Sequence, residues 1–307
     1  MPQFGSRDIY GVIEHRGWLP WGVLAPFLAL AFVIAGVLSG TKLIEPFVAV
    51  DRLGNPLDAV ALLAFTLVPF GLLMSILLAW VRFVERRSFA SIGLCGERKL
   101  RTFLAGHAIG MGSIIGVVLL IALCGGLGRT GDPTAWSSPA SLLSIALLLL
   151  GFGLQSSVEE LLFRGWLLSV LANKFNVLVA VIVSSVLFAL LHFSPGERWL
   201  VSVCDFAFGV FTCAWALRTG SILGVMGWHA GWNWLLAVGF GLPLTGIDVG
   251  IPALVVDLEP SGPAWLTGGA EGPEGSVLCL AVFSVATAWL LFAPRRPGQV
   301  GKSSIAS

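Results

Sequence analysis

Residues 141–165 read SLLSIALLLLGFGLQSSVEELLFRG, and the first 18 of them carry no charge. Glu159, Glu160 and Arg164 then fall within six positions of one another. No proline interrupts the chain from Ser141 to Ala172 and leucine dominates it, so the sequence predicts a single helix over that range. At about 1.5 Å per residue such a helix is longer than the roughly 30 Å hydrocarbon core of a bilayer. It must therefore tilt, break near Gly151 and Gly153, or extend into the cytoplasm. NKFN at 173–176 predicts the turn into the next segment.

The composition agrees with a bilayer setting. The 307 residues are 56% hydrophobic and 11% charged, and mean hydropathy is +0.91; a soluble domain is about 45–50% apolar and about 25% charged. Uncharged runs recur at 17–41, 59–81, 102–128, 133–158, 175–196, 199–217 (broken only by Asp205), 219–247 and 275–294. Because a spanning helix needs about 20 apolar residues, the expectation is an all-α, polytopic membrane helix bundle of about eight transmembrane helices. The first run follows a 16-residue segment of mixed polarity and lacks a small-x-small cleavage site, so it reads as a retained helix.

Lysine and arginine set the orientation. Arg82, Arg86, Arg87, Arg98, Lys99 and Arg101 lie between the second and third runs, whereas the 248–274 loop holds five carboxylates and no basic residue. The expectation is a multi-pass protein of the cell inner (plasma) membrane with both termini cytoplasmic, the tails being 1–16 and 295–307. The net charge of +1 gives no hint of a nucleic-acid partner. Cysteines 95, 124, 204, 213 and 279 form no C-x-x-C pair and read as small core residues.

No internal repeat is visible, and Gly and Pro gather in connectors such as GGLGRTGDP and PSGPAWLTGGAEGPEG. The parse is a single membrane domain, 1–307. Most buried ionisable groups collect between 151 and about 236, which makes 141–240 the candidate functional core. A charge at mid-bilayer costs at least about 2.5–3.5 kcal/mol, so such groups face a bundle interior or an aqueous cavity and pair with one another. Glu160 and Arg164 have the spacing and order of an ion pair along one helix face. Glu159, a third of a turn away, is left as a candidate general base. FALLH (188–192) and HAGWN (229–233) are two more four-residue spacings, each bringing its end residues to one face. Counting from the turns puts Glu159 and His192 at one depth and His229 about two helical turns shallower.

E-E-x-x-x-R, F-x-x-x-H and H-x-x-x-N, in that order on successive membrane helices, resemble the CAAX-prenyl-protease and bacteriocin-processing (Abi) family of intramembrane proteases. The resemblance covers about 151–236. It implies an intramembrane endopeptidase cleaving a membrane-associated protein or peptide, with Glu159 activating a water and His192 beside it. His229 and Asn233 would hold the water or stabilise the oxyanion, with Glu160 and Arg164 in support. Glu159, His192 and His229 also have the donor types of a catalytic zinc, so zinc is possible, although the favoured reading needs no cofactor. Some members trim prenylated C-terminal tripeptides and others are tied to bacteriocin maturation; no motif in this chain chooses between them.

Blander readings stand beside these. Glu160 with Arg164 could be a structural ion pair, and a lone His192 or His229 could be a helix-to-helix hydrogen bond. His107 and Asp205 read as structural or supporting groups, and the tryptophans near 228–234 as packing or interface residues. Neither H-E-x-x-H nor G-x-S-x-G occurs. The alternative from another class is a proton-coupled transporter or channel with a Glu/His relay, which the lack of repeated halves disfavours.

Overall fold

Each of the eight uncharged runs becomes a helix in the computed structural model, which describes residues 9–11, 13–51, 55–193, 196–248 and 250–294. Helices α1 (Ala25–Phe47), α2 (Ala59–Val84), α3 (Lys99–Leu123), α4 (Pro139–Lys174) and α6 (Trp199–Thr219) are long and apolar enough to cross a membrane. Three others are shorter than the runs that predicted them: α5 (Val177–His192), α7 (Leu223–Gly239) and α8 (Val277–Phe292). Sixteen or seventeen residues rise only about 24–26 Å, so the expectation of eight holds for helices while five have full spanning length. α7 stops where Gly241 takes φ +65° and Pro243 follows, and the chain leaving it turns back over the bundle. The predicted tails fall largely outside the described residues.

Local chemistry sets the helix starts. Asp58, Ser138, Asn176 and Ser276 each accept a hydrogen bond from a backbone N–H three residues on, as N-caps do; Asn176 is the last residue of the predicted NKFN turn. A two-stranded antiparallel ribbon, β1 (Leu127–Gly131) with β2 (Asp257–Pro260), pairs Leu127 with Pro260 and Gly131 with Asp257 and ties together the two Gly-rich connectors.

α4 neither breaks at Gly151 nor at Gly153. It runs unbroken for 36 residues and widens into a π-helical stretch over Leu161–Leu167, immediately after the two glutamates. Residues 158–172 are all buried, so the length beyond a bilayer is enclosed by other helices. The carbonyls of this stretch draw side-chain donors, two from distant segments and one from α4 itself. Tyr10 Oη donates to Arg164 O (2.5 Å), Ser184 Oγ to Phe163 O (3.0 Å) and Ser169 Oγ to Trp166 O (2.8 Å).

α3 and α7 pack backbone to backbone through reciprocal glycines. A Cβ on Gly106 or Gly110 would sit 2.1 or 2.0 Å from a carbonyl oxygen of α7, and one on Gly227 or Gly231 would sit 1.9 or 2.1 Å from a carbonyl of α3. Both pairs have the small-x-x-x-small spacing that lets membrane helices approach closely. Pinned on this side, α7 presents His229 and Asn233 to α4. On its far side Trp228 and Trp232 are buried among Phe208, Phe211 and Phe283 of α6 and α8, which bears out the packing reading of these tryptophans. Of the cysteines, 204, 213 and 279 are buried as predicted, but Cys95 is half-buried and Cys124 exposed.

Candidate active site

Glu159, His192, His229 and Asn233 line one cavity of about 320 Å³. Glu159 and Glu160 come from the last turn of α4 before its π stretch, His192 from the end of α5, and His229 and Asn233 from the middle of α7. Depth counting left His229 two turns too shallow. The structure brings its Nε2 to 3.8 Å from Glu159 Oε2 and its Nδ1 to 2.9 Å from Glu160 Oε1, with α7 packed closely against the backbone of α3.

Hydrogen-bond partners fix both imidazoles. The Phe188 carbonyl can only accept, so His192 Nδ1, 2.9 Å from it, carries the proton and Nε2 is the free nitrogen. Glu160 imposes the same tautomer on His229. The predicted Glu160–Arg164 pair is present at 3.3 Å and completely buried. Yet Glu160 does more than neutralise Arg164, since its other oxygen orients His229.

Arg164 is held by aromatic faces and a hydroxyl. Its guanidinium carbon lies 4.3 Å from the Phe188 ring centroid, 5.2 Å from that of Phe208 and 5.7 Å from that of Phe163. Its Nε donates to Thr212 Oγ1 at 2.7 Å. Phe188, which the sequence supplied only as a spacing to His192, stacks on that histidine at 4.2 Å and on Phe208 at 5.0 Å. One ring therefore joins the cation to the imidazole.

Gln155 was missed by sequence reasoning. Its Nε2 donates to Glu159 Oε1 at 2.7 Å, and its own Oε1 is buried without a hydrogen-bond partner. The signal was legible: an amide four residues before a glutamate in an otherwise apolar helix. Glu159 Oε2 likewise has no hydrogen-bond partner. Asn233 Nδ2 reaches Ser156 Oγ at 3.4 Å, a long contact that leaves the amide loosely held. Of the two groups read as supporting, Asp205 lines the cavity, whereas His107 lies between Phe103 and Trp234, away from the cavity lining.

For zinc, the candidates were Glu159, His192 and His229. Among the described residues no three of His, Cys, Asp and Glu are grouped so as to hold a metal ion. Glu159 and His229 meet, with His229 Nδ1 taken by Glu160 and His192 Nδ1 by a carbonyl. Those Nδ1–H bonds leave both Nε2 atoms in the form a metal ligand needs, but as placed the three side chains are not gathered around one ion.

The family model described as type II CAAX prenyl endopeptidase Rce1-like matches residues 140–235, which hold nearly all of α4, α5 and α6 and the part of α7 bearing His229 and Asn233. No curated protein matches the chain. Three motifs in order on α4, α5 and α7 all fall within this match, so the segment 140–235 of this helical membrane protein is similar to the Rce1-like CAAX endopeptidases.

Proposed function

We propose that the chain hydrolyses a peptide bond of a membrane-associated protein or peptide by a glutamate-activated water. The observation that carries this reading is the meeting of Glu159 Oε2 and His229 Nε2, 3.8 Å apart, on a cavity that His192 and Asn233 also line. Gln155 occupies Oε1 of Glu159, so Oε2 is the oxygen that takes a proton from the water as its oxygen attacks the carbonyl carbon. The Asn233 amide supplies an N–H donor toward the oxyanion. Glu159 then returns the proton to the departing amine as the C–N bond breaks. On the charge asymmetry of the connectors, the side of the cavity lined by Thr245, Asp248 and Glu274 faces away from the cytoplasm.

The test is cleavage of a fluorogenic membrane-anchored peptide by purified protein in proteoliposomes. Glu159→Gln is expected to reduce turnover at least about 10³-fold, and Asn233→Ala about 10²–10³-fold, with both variants folded in detergent. Activity should persist in a strong chelator. Undiminished cleavage by Glu159→Gln, or stoichiometric zinc whose removal abolishes activity, would overturn the mechanism.

A further inference from the structure

We infer that the cavity selects a peptide presenting a cationic side chain beside the scissile bond, and rejects one that places a free carboxylate there. Taking the ligand to be a peptide rests on the protease reading above; its charge does not. Glu159, Asp205, Asp248 and Glu274 line the cavity, and among the described residues no lysine or arginine does. Arg164 is fully buried, paired with Glu160 and screened by three phenyl rings.

The hydrogen-bond inventory points to the same ligand independently of the charge count. Three lining atoms are buried without a hydrogen-bond partner: Glu159 Oε2, Gln155 Oε1 and Asp205 Oδ2. All three are acceptors, and Glu159 is only 7% exposed. A buried acceptor without a donor is costly; the attacking water serves Glu159 Oε2, and N–H groups of the occupant complement Gln155 Oε1 and Asp205 Oδ2. Glu274 keeps its position because Trp232 Nε1 (2.8 Å) and the Thr245 N–H (3.1 Å) and hydroxyl (2.9 Å) donate to it. Its charge is therefore a fixed feature of the rim. On the opposite flank Val33, Val37, Phe65, Phe70 and Leu73 offer an apolar wall. The complementary substrate is an apolar segment interrupted by lysine or arginine. A chain ending in a free carboxylate would meet like charge in a poorly screened setting.

Three C-terminally amidated apolar peptides, identical except for Lys, Gln or Glu at one position, separate the possibilities, with a fourth ending in a free carboxylate. Binding of labelled peptide to the full-length protein in nanodiscs is read by anisotropy, and cleavage by mass spectrometry. The expected binding order is Lys over Gln over Glu, with about tenfold or more between the extremes, and amide over free acid. Asp205→Asn should shrink the Lys-to-Glu ratio severalfold. Equal binding of the Lys and Glu peptides, or no binding of any, overturns the inference. Ordered binding without cleavage upholds the charge preference and sinks the protease reading, whereas cleavage without order does the reverse.

Discussion

At the scale of single residues, the site consists of buried polar groups that hold one another in place. Glu160 illustrates the coupling: one oxygen neutralises Arg164 and the other orients His229. Arg164→Leu should destabilise the protein by about 3–5 kcal/mol, because Glu160 is left as a buried, uncompensated charge. Adding Glu160→Leu should recover most of the loss in detergent melting while activity stays absent, since His229 then loses its orienting acceptor. Recovery of activity together with stability would show that Glu160 serves the fold alone. Gln155→Leu keeps the side-chain volume but frees Glu159 Oε1. It should lower kcat on the order of tenfold or more with little change in KM, whereas an equal rise in KM would assign Gln155 to substrate binding instead. The pair Glu160–Arg164 was legible because four-residue spacing is a local property of a helix. The reach of Glu160 to His229, 69 positions away, was not.

At the scale of elements, α7 decides whether the site exists. Its residues 227 and 231 touch the α3 backbone and its residues 229 and 233 face α4, so a change on one face moves the other. Gly231→Leu meets backbone rather than a flexible side-chain tip, with the His107 carbonyl oxygen 2.1 Å from the first added atom. This substitution should abolish cleavage and lower the melting temperature, whereas Gly112→Leu on α3, where an added Cβ meets nothing within 4 Å, should do neither. Comparable loss in both variants would remove the argument that α3 sets the register of α7. The glycine spacing in both helices was present in the sequence and unread. It becomes meaningful only when two such pairs are known to face each other.

Across the whole molecule, a second buried polar network joins the end of α2 to the π stretch of α4. Glu85 Oε1 accepts from Trp80 Nε1 (2.9 Å) and Trp166 Nε1 (2.7 Å), and its Oε2 pairs with Arg87 (3.1 Å), which also donates to Ser169 Oγ (3.0 Å). Glu85 and Arg87 are wholly enclosed, and burial pulls the Arg87 guanidinium below its ordinary range, partly offset by Glu85. The sequence counted Arg87 among the charges that orient the protein, but it is a structural cation whose charge the fold consumes. Glu85→Ala should cost about 3–5 kcal/mol by stranding Arg87. The expected readout is earlier melting, with the specific activity of the remaining folded protein kept; selective loss of turnover would mean that this network also shapes the site.

The sequence by itself determined the bilayer setting, the eight helices and four of the polar residues that share the cavity, Glu159, His192, His229 and Asn233. Those properties follow from local hydropathy and helix periodicity, which neighbours along the chain suffice to specify. Tertiary structure alone decided that five helices have full spanning length, that α4 widens into a π stretch instead of breaking, and which oxygen of which glutamate faces which imidazole. Such outcomes depend on backbone approach between helices distant in sequence, and on which donors and acceptors remain once every buried neighbour has taken its share.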